Sequence, residues 1–299
     1  MLSRICPSPA FCVKTLTSNT MFKTLLINVL ISILCCAASA YAQDEIRLMS
    51  FNIRYGTAPD GPNHWDLRSD LIIEVLHRYS SDFYGVQEAL PVQLEFIKAA
   101  LPGYDMIGRP RDVARKDEAV AIFYDRDRWH LQGHGYFWLS EEPDIEGSMS
   151  WGAVFPRIVT WGRFELRTSG KPVWVFNTHY SHVSDSARFM SSNLLLNKIN
   201  QLAGNEDVIL MGDLNAEEGS RPITALSREF TDAYRQVNRS APGETFFGWE
   251  PHIIGTGKRI DYVFVGSRLR VIDCRVIEDN RDGQYPSDHN PIYATLQLN

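Results

Sequence analysis

Beyond residue 42 the chain has a single cysteine, Cys274. No disulfide can form within that stretch, so its fold must rest on buried apolar surface, which a chain of this length can supply. Positive charge is also short: 30 Lys and Arg stand against 36 Asp and Glu. An acidic chain lacks the broad basic surface that grips long nucleic acid by displacing counter-ions, although a local basic groove remains compatible with it. No Pro-, Gly- or Ser-rich linker, low-complexity run or fixed-period repeat divides the sequence. One large domain is therefore the expectation. With 44% hydrophobic and 22% charged residues, the composition is that of an ordinary globular protein.

The one long apolar run lies near the start. Met21-Phe22-Lys23 precedes a hydrophobic stretch over 25–37, interrupted by Asn28 and Ser32, and small residues follow at Ala38, Ala40 and Ala42. This pattern reads as a secretory signal peptide cleaved after Ala42 or Ala40, with residues 1–20 as an over-extended start. The run is short for a membrane anchor. A lipoprotein signal fits poorly, because Leu34 rather than a small residue precedes Cys35. The division expected is an extension and signal peptide over 1–42 and one domain over 43–299, exported to the periplasm or medium. Cleavage removes Arg4, Lys14 and Lys23 and no acids, leaving 27 basic and 36 acidic residues and a net charge of −9.

Within 43–299, alternating or apolar runs predict strands at 46–52, 83–87, 118–124, 129–137, 158–166, 173–177, 208–211, 260–265, 269–277 and 292–298. Helical spacing appears at 65–79, 91–100 and 184–202, the last capped by Ser184 or Asp185 and closed by Gly204. Strands without intervening helices at 118–177 imply antiparallel pairing there. The whole fits two packed sheets flanked by helices, an α/β (α+β) arrangement.

Polar residues recur at strand ends, where α/β folds place their sites. Asn52 follows Leu48-Met49-Ser50-Phe51, and Glu88 follows Gly85-Val86-Gln87. Asn177 and His179 follow Val173-Trp174-Val175-Phe176, and Asp213 and Asn215 follow Ile209-Leu210-Met211-Gly212. Each alone reads as a turn former or cap. Asp261, between Ile260 and Tyr262-Val263-Phe264, is drawn toward the interior, where a charge needs a cation or donors. Ser287-Asp288-His289-Asn290-Pro291 then brings a carboxylate and an imidazole to one spot, and imidazole can take a proton near neutral pH. The set is rich in hard oxygen donors, which suit Mg²⁺ or Mn²⁺ and the in-line attack of water on a phosphoryl group.

Met49-Ser50-Phe51-Asn52, Gly85-Val86-Gln87-Glu88-Ala89, Asn177-Thr178-His179, Gly212-Asp213-Leu214-Asn215, Arg259-Ile260-Asp261-Tyr262 and Ser287-Asp288-His289-Asn290-Pro291 occur in the order found in the endonuclease/exonuclease/phosphatase superfamily. The resemblance spans about residues 45–299. It implies a four-layer α/β/β/α sandwich with the site at one rim of the two sheets, and a Mg²⁺-dependent phosphoester hydrolase of phosphodiesterase or nuclease type. The alternatives are a phosphomonoesterase acting on a phosphorylated sugar or inositol, or a ligand-binding relative without turnover. It also implies that Glu88 is the main metal ligand, with Asn52 and Asp288 beside it, and that Asn215 holds the phosphate. His289, paired with Asp261, and Asp213 are the two candidates for activating water, and His179 would steady the phosphate or protonate the leaving group. Glu118 opens a strand beside the site, Arg157 offers a planar fork to a phosphate, and His182 and Arg188 line the same rim. Trp65 and Arg68 are expected to anchor the first helix.

The substrate is less constrained. Trp138, Trp151, Trp161, Trp249, Tyr136, Phe137, Phe246 and Phe247 fall in or near expected loops, where exposed rings can stack on a base or sugar. The sequence has no evident long apolar hairpin for membrane docking. A small or single-stranded phosphodiester and a phosphorylated sugar are the partners left open, with no obligate protein partner implied.

Overall fold

The computed structural model describes residues 44–298, apart from 113, 115, 116 and 251–256, together with Lys23 and Ile27. The expected signal peptide lies outside the described residues. The contacts separate 1–43 from a unit that begins at Asp44.

In chain order the elements of that unit are β1 (Glu45–Asn52), α1 (Trp65–Arg78), β2 (Phe83–Ala89), α2 (Pro91–Ala100), β3 (Tyr104–Pro110), β4 (Ala119–Asp125), β5 (Trp129–Trp138) and β6 (Ile158–Leu166). Then come β7 (Pro172–His179), α3 (Asp185–Ala203), β8 (Asp207–Asp213), α4 (Arg221–Leu226), β9 (Thr231–Asp232), α5 (Ala233–Val237), β10 (Asp261–Val265), β11 (Leu269–Val276) and β12 (Ile292–Leu298). They form two six-stranded sheets, ordered β11-β12-β1-β2-β4-β3 and β5-β6-β7-β8-β10-β9. Each sheet has one parallel pair, β1 with β2 and β7 with β8. A parallel pair needs a long crossover. Here α1 and α3 supply it.

Alternation along each strand sorts its residues onto two faces. Ile46 and Leu48 of β1, Val173 and Val175 of β7, Ile209 and Met211 of β8, and Val263 and Val265 of β10 meet in the core between the sheets. Met49, Phe51, Tyr84 and Val86 turn outward against Ile72, Val75 and Leu76 of α1 and Leu94 and Ile97 of α2. On the other side Trp174, Phe176, Leu210 and Phe264 pack against Leu195, Ile199 and Ala203 of α3. Three apolar layers between four structural ones give the α/β/β/α order.

Local signals fix the helix ends. The Ser184 side chain accepts the Ala187 N–H at 3.1 Å, capping α3, and Gly204 ends it at φ +53°, where a side chain would be strained. Arg68 is fully buried and donates to the carbonyls of Ile53, Arg54, Asn63 and Pro286, so it ties α1 to the chain before and behind the site.

Some elements escaped the sequence pattern. β3 is an edge strand with mostly half-exposed residues, so it shows no clear alternation. The short α4, α5 and β9 give too few residues for a period. Phe137 and Trp138, expected near loops, are buried in β5.

Candidate active site

At one end of the sandwich the inward-facing positions change from apolar to polar. β1 runs Ile46, Leu48, Ser50, Asn52; β7 runs Val173, Val175, Asn177, His179; β8 runs Ile209, Met211, Asp213. β10 is antiparallel to β8 with Asp261 opposite Asp213, so its first residue reaches the same rim. His179 is in turn opposite Asp213 on β7. Three neighbouring strands thus present His179, Asp213 and Asp261 side by side, all buried. Gly212 permits this. Its φ is +148°, and a Cβ there would run into the Thr178 backbone.

Glu88 reaches the rim by another device. The β2–β4 register slips between Val86 and Ala89, and Glu88 takes φ +60°, a left-handed conformation unusual for a side-chain-bearing residue. Its carboxylate accepts the Asn52 amide at 3.0 Å and the Tyr55 N–H at 3.1 Å. Asn52 also donates to Asp213 Oδ2 at 3.0 Å, while its oxygen accepts the Arg54 N–H. Asn52 therefore meets both carboxylates as a donor rather than facing them with its oxygen.

His289 Nδ1 lies 2.9 Å from Asp261 Oδ2, and its Nε2 lies 3.9 Å from Asp213 Oδ2. Burial pushes this imidazole toward neutrality, but Asp261, with help from Asp213 and Asp288, outweighs it and raises the pKa to about 10. Asp213 is raised as well, up to about 7, through burial and then the charge of Asp261. Asn215 N–H steadies Asp213 Oδ1 at 2.9 Å, and its side-chain amide lies 3.0 Å from His179 Nε2. His179 is held neutral, well below the usual imidazole range, by burial and by Arg157 and Arg111. Asp288 is raised mainly by burial, with Arg54 Nε 3.8 Å away.

A second group surrounds Glu88. Glu118 is raised to about 7 by burial and then by the Glu88 charge, and Arg111 bonds it at 2.9 Å. Arg157 is buried, its pKa lowered to about 10 chiefly by burial. One guanidinium nitrogen of Arg157 meets His182 Nδ1 at 2.9 Å, and the other, Nη1, is buried without a partner. Glu88, Arg111, Glu118, Arg157 and His179 line one small recess. Arg188 is tied to the Ser181 carbonyl and to Asp185, and lines a cleft next door rather than the recess.

The donor set fits a hard divalent cation. Oxygens dominate, and Glu88, His179 and Asp213 each place a ligand atom within 4.8 Å of the others, as do Asp213, Asp261 and His289. Asp213, Glu118 and Asp288 are all raised, chiefly by burial, and a nearby cation would favour their charged forms.

Those shifts predict how the metal-free protein responds to pH. Asp213 and Glu118, raised to about 7, contribute stability below their unfolded values near 4 that is lost as pH rises through 7. His289 contributes below 6.5 and loses its share as pH rises through about 10. These three act in one direction, whereas His179, held neutral, adds stability as pH rises toward 6.5; with chelator present the site's contribution should therefore fall between pH 7 and pH 10. Added Mg²⁺ should raise the melting temperature more at pH 8 than at pH 5. Equal shifts at both pH values in a thermal melt would refute cation binding by these carboxylates.

Sequence reading missed Arg111, whose partners Asp117 and Glu118 are adjacent in the chain and gave the only hint. It also missed the polar plug beneath the site. There Gln87 donates to Asn177 at 2.7 Å and to Ser50 at 3.2 Å, and Asn177 donates to the carbonyls of Val86 and Ala121. The signal was a Gln at an inward position of an apolar strand. Of the aromatic residues, Phe246 packs against the His289 ring with centroids 4.8 Å apart, and Trp249 covers Arg68. The β5–β6 connection, which the sequence had not marked as apolar surface, exposes Ile145, Met149, Val154 and Phe155.

The sequence profile of the Endonuclease/Exonuclease/phosphatase family matches residues 49–289. An endonuclease/exonuclease/phosphatase structure from Bacteroides vulgatus is 32% identical with a TM-score of 0.80, covering 85% of this chain and 99% of that one. A structure described as a mannosyl-6-phosphatase from Bacteroides thetaiotaomicron is 33% identical with a TM-score of 0.78, covering 85% and 100%. Among curated proteins, a DNA-(apurinic or apyrimidinic site) endonuclease of Arabidopsis thaliana is 31% identical over 178 residues, 54% of this chain and 45% of that protein. The chain spans about half the length of the curated relatives it matches, from 45% to 60%.

Proposed function

The chain belongs to the Endonuclease/Exonuclease/phosphatase family, and we propose that it is a Mg²⁺-dependent hydrolase of a small phosphate monoester, with a phosphorylated sugar as substrate, exported on the strength of the signal-peptide pattern over 1–42. The observation that carries this reading is the buried, unpartnered Arg157 Nη1 beside Glu88 and His179. A buried guanidinium nitrogen without an acceptor is costly, and a phosphoryl oxygen relieves it. Arg111 and His182 stand next to Arg157. This pair of guanidinium groups suits a terminal phosphate with two negative charges. The net acidity of residues 43–299 and the likeness to the mannosyl-6-phosphatase at 33% identity favour a small sugar ester over long nucleic acid.

A divalent cation, when bound, supplies Lewis-acid polarisation of the phosphoryl oxygen; Glu88 and Asp288 are the residues that would hold it, while Asn52, expected beside them as a ligand, instead ties Glu88 to Asp213 through its amide N–H groups. Asp213, with a pKa near neutrality, is the group suited to take a proton from water at neutral pH. His289, kept protonated by Asp261, supplies a fixed positive charge for the phosphoryl oxygens instead. Asn215 orients both Asp213 and His179.

The test is phosphate release by residues 43–299 from mannose 6-phosphate and from a bis-aryl phosphodiester, with Mg²⁺, Mn²⁺ or EDTA. The expected result is release from the monoester, abolished by EDTA. Cleavage of the diester alone would replace this reading with the phosphodiesterase one.

A further inference from the structure

Next to the recess lies a cleft of about 510 Å³, within the ~300–1,000 Å³ of ordinary small-molecule sites. Three of its lining residues touch the reaction centre. Asn215 reaches it and bonds His179, His182 reaches it and bonds Arg157, and Phe246 reaches it and packs on His289. Whatever is esterified to a phosphate held at Arg157 must extend from that point.

We infer that this cleft seats the sugar of the substrate, with Phe246 as the face on which the ring lies. The inference rests on the phosphomonoester reading above. Charge in the cleft is close to balanced, three cations to two acids: Asp185 pairs with Arg188, and Glu217 with Lys258 at 3.3 Å. Arg221 lies over the Phe189 ring, 4.0 Å from its centroid. Such a lining offers donors and acceptors of both signs and no field of one sign. It matches a neutral polyhydroxylated group, which presents hydroxyls as both donor and acceptor. A polyanionic strand would need excess positive charge, and an acyl chain an apolar wall. Phe246 is half-buried and is the one Phe, Tyr or Trp among the lining residues, and a pyranose has an apolar face for it.

The experiment compares kcat/KM for mannose 6-phosphate with kcat/KM for ethyl phosphate, which has the same phosphate and no ring. The ratio cancels any disturbance of chemistry common to both esters, including a shift of His289. Wild type should prefer the sugar ester strongly. Phe246→Leu should lower the ratio about tenfold, through a higher KM for the sugar ester, and Phe246→Tyr should keep it. Lys258→Gln, at an exposed position, should lower it about threefold by replacing a charged hydroxyl donor with a shorter, neutral one. Wild type with no preference, or a ratio unmoved by Phe246→Leu and Lys258→Gln, overturns the sugar cleft while leaving the phosphomonoesterase intact. If wild type cleaves neither monoester but does cleave a diester, the phosphomonoester reading fails and the cleft assignment falls with it.

Discussion

Asp213→Asn should lower kcat by about 10²–10⁴ while leaving the fold intact. The substitution keeps the size of the side chain and an acceptor for the Asn215 N–H at 2.9 Å. It removes the carboxylate beside His289 whose pKa stands near 7 and which can therefore take a proton from water at neutral pH. Its effect on stability is set by two opposing changes. The amide faces the Asn52 donor at 3.0 Å less well, a loss of about 1 kcal/mol, but the repulsion between two buried carboxylates on adjacent strands disappears. The net change is small beside the ~5–15 kcal/mol that holds such a domain together. His289→Ala is a poorer probe, because it leaves Asp261, already with one oxygen unpartnered, as an unpaired buried charge. Measured together, kcat and the melting temperature give the answer: an Asp213→Asn protein that is folded and fully active would remove Asp213 from the chemistry.

The second large effect is expected in the metal requirement. Glu88→Gln should raise the half-saturating Mg²⁺ concentration by at least ~10–100-fold, the range seen even for residues that only support a ligand. The neutral side chain can still accept from Asn52 or Tyr55, so the left-handed turn at Glu88 has what it needs to persist. What disappears is the charge that raises Glu118 and Asp288. A Mg²⁺ titration of the initial rate distinguishes the outcomes: a curve that rises late to a near-normal plateau supports the ligand role, and an unchanged curve at low Mg²⁺ excludes it.

Much of the fold was readable because strands with one apolar face leave a period of two, and the longer crossover, α3, carries a cap at each end. The same period is why the site could be named. Asn52, His179, Asp213 and Asp261 are inward positions at which the apolar alternation stops, and a polar side chain buried there costs stability unless a partner or ligand meets it. Glu88 was legible as a polar residue at a strand end, but the register slip that aims it leaves no mark in a single strand. Arg157 was visible as a basic residue at the start of β6, but its unpartnered nitrogen is a property of three dimensions. Arg111 and the Gln87–Asn177 bond depend on residues 6 to 90 positions apart, which no local pattern reports. Edge strand β3 was missed for the opposite reason: its side chains bury too little to impose a pattern.

The centre is divided between the two sheets. Asn52 and Glu88 belong to one, His179, Asp213 and Asp261 to the other, and the Asn52–Asp213 and Gln87–Asn177 bonds cross the gap. Neither sheet alone holds a complete set of parts. A collapsed chain with every strand paired but the two sheets slipped by one residue would retain its secondary structure and have no active centre at all. Turnover in this protein is thus a gauge of tertiary docking, and the amide bonds under the rim act as dowels that keep the two halves in alignment.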